Sequence, residues 1–165
     1  MQNMILEAEH IDLNDLHFID FEASGIAPDS YPVEVAVVSL RQQFTSLIKP
    51  VSYWEHWSYD AQDMHQLSRA VLLSEGVSPH DVASQMNALF SGKTLCCDSP
   101  TDTFWMDVLY EAAGIDSTFK IKPIEVVVGA ERASSMIRNL PARKAHRALP
   151  DALILLDAWL KTLNG

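Results

Sequence analysis

Hydrophobic and polar positions alternate with a strand period early in the chain and with a helical period later. Residues 16–22, Leu-His-Phe-Ile-Asp-Phe-Glu, read as a buried strand, followed by the turn-prone run Ser24-Gly25-Ile26-Ala27-Pro28-Asp29-Ser30. Val33 to Leu40 is rich in β-branched residues, and Gln43 to Ile48 alternates polar with apolar before Pro50. These three runs predict an antiparallel meander. Short helical pieces are expected near 60–66 and 68–75. A firmer helix begins at Ser78-Pro79-His80-Asp81, carries apolar Val82, Met86, Leu89 and Phe90, and stops at Gly92. Thr94 to Cys97 predicts a fourth strand, Asp102 to Ala113 a helix ending at Gly114, and Phe119-Lys120-Ile121 a short fifth strand. Short helices are expected across 123–139 and a last helix from about 145 to 162. The order βββ, α, β, α, β, α predicts an α/β fold, a mixed sheet flanked by helices.

With 165 residues, the chain is expected to form one domain over 1–165, its core running from about 16 to 162. Hydrophobic residues at 48% and charged residues at 21% exclude a disordered chain. No apolar run approaches the roughly 20 residues that cross a bilayer. The opening Met1-Gln2-Asn3-Met4 lacks a basic region followed by an apolar stretch, so no signal peptide and no membrane partner are expected. Adjacent Cys96 and Cys97 on a strand would point to opposite faces, which predicts free buried thiols and a reducing, cytoplasmic location.

A net charge of −10 argues against a phosphate-rich partner until its distribution is considered. Between Lys120 and Arg147 stand seven basic residues (Lys120, Lys122, Arg132, Arg138, Arg143, Lys144, Arg147) against Glu125 and Glu131, a local +5 that leaves −15 elsewhere. That segment is either a solvated face or a rim that guides phosphates.

Candidate chemistry lies in three clusters. Asp20 and Glu22, two apart on a strand, point the same way. Like charges on an apolar strand are costly to bury unless a cation sits between them, so a divalent metal is expected, although a strand with one wet face is the plain alternative. Asp102 follows a strand end and suits a helix first turn, where capping is the competing role and Asp98 a rival for the metal. His146 and Asp151 do not share a helical face; they converge if His146 lies on the loop and the helix starts near Leu149, with Pro150 in its first turn. The alternative there is a surface histidine beside arginines and a capping aspartate.

In order and spacing these clusters resemble the DEDD superfamily of 3′-5′ exonucleases, in its histidine-containing (DEDDh) branch, which includes ribonuclease T, oligoribonuclease and the proofreading exonuclease of bacterial polymerase. The first motif is Asp20-Phe21-Glu22-Ala23-Ser24-Gly25, the second Asp102 four residues after Asp98, and the third His146-Arg147-Ala148-Leu149-Pro150-Asp151-Ala152-Leu153. The likeness spans about 16–160. Two positions depart from the pattern: Thr101 where an aromatic residue is common before the second-motif aspartate, and Asp98 where asparagine is frequent.

The resemblance implies a ribonuclease-H-like sheet, a meander plus parallel strands, and a 3′-5′ exonuclease acting on the 3′ end of single-stranded RNA or DNA. It implies two divalent cations, Mg²⁺ or Mn²⁺, held by Asp20, Glu22, Asp102 and Asp151, the oxygen donors that such hard ions take. It implies His146 as general base, since an imidazole titrates near neutrality. It places Ala23, Ser24, Met64, His65 and Arg147 at the substrate, and a homodimer among its partners. Met64-His65-Gln66-Leu67 matches the family's element near the terminal nucleotide, with a helix turn burying Met64 and Leu67 as the alternative. Tyr53, Trp54, Trp57 and Tyr59 are either stacking platforms for bases or packing under a long loop. Two rival functions are a non-catalytic binding module on the same fold and a phosphodiesterase for very short oligonucleotides, which the acidic remainder would suit.

Overall fold

The structure, a computed structural model, describes residues 11–142 and 145–165. The opening Met1-Gln2-Asn3-Met4, and Arg143 and Lys144 of the basic segment, lie outside the described residues.

The meander forms as the alternation predicts. β1 (His17–Ala23), β2 (Pro32–Val38) and β3 (Gln43–Leu47) pair antiparallel in sequence order. β4 (Thr94–Cys97) then lies parallel to β1 on its other side, and β5 (Lys120–Pro123) parallel to β4. The strand order β3-β2-β1-β4-β5 makes β1 central and puts the change from antiparallel to parallel pairing at its two edges. The helices are α1 (Tyr59–His65), α2 (Arg69–Glu75), α3 (Pro79–Phe90), α4 (Pro100–Ala113), α5 (Ile124–Val128), α6 (Ala130–Arg138) and α7 (Ala148–Leu163). The result is an α/β fold of the ribonuclease-H-like kind, a mixed sheet with helices flanking it. Among the described residues no helix is long and apolar enough to cross a membrane.

The two faces of the sheet are covered differently. Ile19, Phe21, Val33, Val35, Val37, Leu95 and Cys97 pack against α3 and α4 through Val82, Met86, Phe90, Trp105 and Leu109. Phe18, Ala36, Val38 and Cys96 pack against α7 through Ala148, Ala152, Leu155, Ala158 and Trp159. Cys96 and Cys97 thus face opposite cores as free thiols, and burial pushes both up to about 12. Such thiols are inert toward metals and oxidants at neutral pH.

Local signals start most helices where serine and proline stand. Ser58, Ser68, Ser78 and Ser99 each accept a backbone N–H of the turn that follows, with proline in the first turn of α3 and α4. Because Ser99 caps α4, that helix begins two residues before Asp102, which sits within its first turn. α7 begins at Ala148, later than the expected 145, and its N-cap Arg147 makes no side-chain capping bond. The missing cap comes from elsewhere: Glu34 on β2 accepts the Ala148 N–H at 2.8 Å.

Candidate active site

Asp20 and Glu22 share the α7 face of β1 with Phe18. Across the β1–β2 ladder Asp20 stands opposite Ala36 and Glu22 opposite Glu34, and the register slips between Glu22 and Ala23. The slip leaves Val33 of β2 as the extra residue at the end of the ladder, next to the Glu22–Glu34 pair. Small residues bring α7 close: Ala36 on β2 and Ala148 and Ala152 on α7 are fully buried against this face. That approach lowers Asp151, in the first turn of α7, onto Asp20 and Glu22. From the opposite face, α4 raises Asp102 beside Asp20, and Asp98 follows the end of β4. The carboxylates therefore gather around the C-terminal half of β1 and the C-terminal end of β4, where strand direction switches and α/β sheets leave a crevice.

Two overlapping triads result. Ligand oxygens of Asp20, Glu22 and Asp151 lie within 4.8 Å of one another, and so do those of Asp20, Asp98 and Asp102. Asp20 belongs to both. Asp20, Asp102 and Asp151 are buried, Glu22 is half-buried and Asp98 exposed. The expected buried pair is thus one buried carboxylate beside a partly open one. Asp98, a rival of Asp102 by sequence, stands with it in the same triad.

Burial, and then the charges of Asp102, Glu22, Asp98 and Asp151, hold the Asp20 carboxyl well above its usual range. Its Oδ2 has no hydrogen-bond partner although it is shut off from solvent. An orphaned buried oxygen among four other carboxylates fits hard divalent cations, which take oxygen donors and offset the repulsion. The donor set holds no thiolate and is poorly suited to a structural zinc.

His146 opens into the same cavity of about 150 Å³ as these carboxylates. It lies on the loop before α7, as convergence with Asp151 requires, with a left-handed φ of 58°. Behind it, Asp151 Oδ1 accepts the Ala145 N–H at 2.8 Å. In front of it, Arg147 Nε donates to Glu34 Oε1 and Oε2 at 3.0 and 3.2 Å, and Nη2 donates to Oε2 at 2.7 Å. The loop carrying His146 is thus tied down on both sides. Glu34 was invisible to motif reading. Its one sequence signal is an acid inside the apolar run Pro32–Val38, and its partner lies 113 residues away.

The residues expected at the substrate divide. Ala23, Met64 and His65 line a second cavity, of about 530 Å³, that borders the acids through Glu22, Thr101 and Trp105. Ile26 and Phe104 on its wall are exposed apolar side chains. Met64 is exposed, whereas Leu67 is buried in the core. His65 is buried, its Nδ1 accepts the Leu67 N–H at 3.0 Å, and burial lowers its pKa, so its proton sits on Nε2. Ser24 does not line the cavity: its Oγ accepts the Tyr31 N–H, and its backbone joins Tyr31 and Ser58. This holds the 24–30 loop against residues 56–58, so closely that a Cβ on Gly25 would come within 2.5 Å of the His56 ring. Arg147 has committed Nε and Nη2, the edge that would grip a phosphate in two bonds, to Glu34.

The aromatic group at 53–59 divides between packing and exposure. Trp54 is buried and stacked on Tyr31 at 5.0 Å, and Trp57 meets His65 edge-on while donating to Gln62. Tyr53 and Tyr59 are exposed, and none of the four lines either cavity at the acids. In the basic segment, Arg132 and Arg138 are exposed on α6, and Lys120 and Lys122 lie on β5.

No protein-family model matches the chain, and no curated protein matches it by sequence. Solved structures of exonuclease I do match it in shape. E. coli exonuclease I in its zinc-bound complex with single-stranded DNA superposes with a TM-score of 0.67 at 14% identity, covering 91% of this chain and 41% of that one. The same enzyme with a dA16 oligonucleotide gives 0.67 at 14% identity, covering 90% and 41%. Exonuclease I from Methylocaldum szegediense gives 0.62 at 13% identity, covering 89% and 40%. The chain spans about two fifths of the length of these enzymes, and at these identities what it shares with them is the fold.

Proposed function

We propose that the protein is a metal-dependent 3′-5′ exonuclease of the histidine-containing DEDD kind, acting on single-stranded nucleic acid. The observation that carries this reading is the pair of carboxylate triads sharing Asp20, with His146 opening into the same cavity. Asp20, Glu22 and Asp151 would hold one Mg²⁺ or Mn²⁺, and Asp20 and Asp102, with Asp98, a second. Cations bound there would supply Lewis-acid polarisation of the phosphate and neutralise charge that develops in the displacement. His146 takes the proton of the attacking water as general base, a contribution of about 10²- to 10⁴-fold. Ala23, Met64 and His65 wall the apolar cavity beside Glu22, where a terminal base would be shielded from water. Exonuclease I crystallised with single-stranded DNA supports the substrate class by fold.

The test is a time course on 5′-labelled single-stranded RNA and DNA with Mg²⁺, Mn²⁺ or chelator, beside Asp151→Ala and His146→Ala. A ladder that shortens from the 3′ end, and is lost with chelator or Asp151→Ala, is expected. No cleavage by folded, metal-loaded protein would leave a binding module. The net charge of −10 favours short strands over long ones, so turnover on oligomers of two to five nucleotides belongs in the same series.

A further inference from the structure

Glu22 and Glu34 face each other across β1 and β2, two like charges in direct register on one face. Such a pair is destabilising unless a cation intervenes. Arg147 is that cation. It bonds Glu34 through Nε and Nη2, and the charge of Glu22 also favours its charged form. Glu34 accepts the Ala148 N–H as well, so both its oxygens are used although it is only 4% exposed. Arg147 and Ala148 directly follow His146, and Asp151 lies one turn further along α7.

We propose that Glu34 is the positioning residue of this site. Its carboxylate clamps Arg147 and caps α7, and so sets where His146 and Asp151 stand relative to Asp20 and Glu22. The inference rests on the nuclease reading above and adds to it a residue that touches neither metal nor substrate. A carboxylate that only stabilised the fold could be replaced, together with its arginine, by a neutral pair without consequence for the site. A positioning carboxylate could not. The effect is also selective between the triads. Asp151 depends on the start of α7, whereas Asp98 and Asp102 are placed by β4 and α4.

The experiment uses the full chain as wild type, E34Q and the double variant E34Q/R147Q, which removes both charges and keeps the fold testable if E34Q unfolds. Mn²⁺ binding is followed by calorimetry, and cleavage of a 5′-labelled single strand gives kcat and KM. In the double variant the thermal midpoint is expected to recover to near wild type. One of two Mn²⁺ affinities and kcat should stay down by about 10- to 100-fold, as when a group supporting a metal ligand is lost. The other Mn²⁺ affinity and KM should move less than about threefold. A stable double variant with both affinities and kcat at wild-type values would overturn the proposal, as would wild-type protein that binds no Mn²⁺. Wild type that binds two Mn²⁺ but cleaves nothing would sink the nuclease reading alone, and the split between the two affinities would still decide for or against Glu34.

Discussion

Glu34 on β2 and Asp20 on β1 lie two register positions apart on one face of the sheet, at 4% and 5% exposure, yet their surroundings are opposite. Glu34 meets a guanidinium and a helix N–H, and both of its oxygens are bonded. Asp20 meets four other carboxylates and keeps an oxygen without a partner. The first carboxylate finds its cation within the chain; the second is surrounded by like charge, an arrangement that suits a cation taken from solution. The contrast supports the metal reading more directly than a count of acids, because both residues sit in the same sheet.

The largest effect that would break this comparison is expected from Asp20→Asn. Loss of the residue shared by both triads should lower kcat by at least about 10³-fold, some 4 kcal/mol of barrier. In chelator the same variant should be more stable than wild type, by about 1–3 kcal/mol, because a neutral amide is cheaper to bury among carboxylates. Urea unfolding beside the cleavage assay measures both. An Asp20→Asn protein that is active, or less stable than wild type in chelator, would mean that Asp20 is already compensated within the chain.

Arg147→Gln attacks the other side. It leaves Glu34 buried without its cation, and since Arg147 is itself 42% exposed the cost should fall at the low end for a broken buried pair, about 3 kcal/mol. Unlike Asp20→Asn, it should destabilise with and without metal. Equal stability of Arg147→Gln and wild type would show that water, not Arg147, satisfies Glu34.

A smaller effect follows from pH. The Asp20 carboxyl is raised above its ordinary 3.8, so its contribution to stability is fully present below that value and is lost as pH rises through its folded value. Metal-free protein should therefore melt lower at pH 7 than at about pH 4.5, with a shallower fall in Asp20→Asn. Mn²⁺ at a hundred times its Kd should restore about 2.7 kcal/mol at pH 7 and less in acid, where protons compete for the ligands. Melting curves with Mn²⁺ or chelator across this range decide it, and a metal shift independent of pH would go against the assignment.

The same contrast explains what could be read from the sequence. Strand runs and helical periodicity are local, and they predict the five strands and α1 to α4 within a few residues, with short helices across 123–139 where α5 and α6 form. The acids and His146 could be named because their order and spacing in the chain resemble a known pattern, and Asp98 was visible as a rival of Asp102. The start of α7 was legible in part, since Pro150 allows a start near Leu149, one residue from Ala148, but its cap was not, because Glu34 lies 114 residues earlier. The commitment of Arg147 escaped for the same reason. A compensated charge needs a partner, and a partner remote in sequence leaves no mark on either segment. Asp20 is legible because Glu22, Asp102 and Asp151 around it each fall in a cluster whose spacing shows in the sequence.

The finest test of the contrast concerns the backbone. His146 holds a left-handed φ of 58°, a conformation that costs a residue with a Cβ about 1 kcal/mol relative to glycine. Arg147, next in the chain and bonded to Glu34, has an ordinary extended φ of −128°. Strain thus sits on the residue that opens into the acidic cavity and not on its neighbour bonded to Glu34. His146→Gly should therefore be more stable than His146→Ala by about 1 kcal/mol, after allowing for the greater freedom of an unfolded glycine, while both lose turnover. Denaturant unfolding of the two variants gives the difference. If His146→Ala proves the more stable, the left-handed turn does not hold in solution, and the Ala145–Asp151 and Arg147–Glu34 ties do not suffice to impose it.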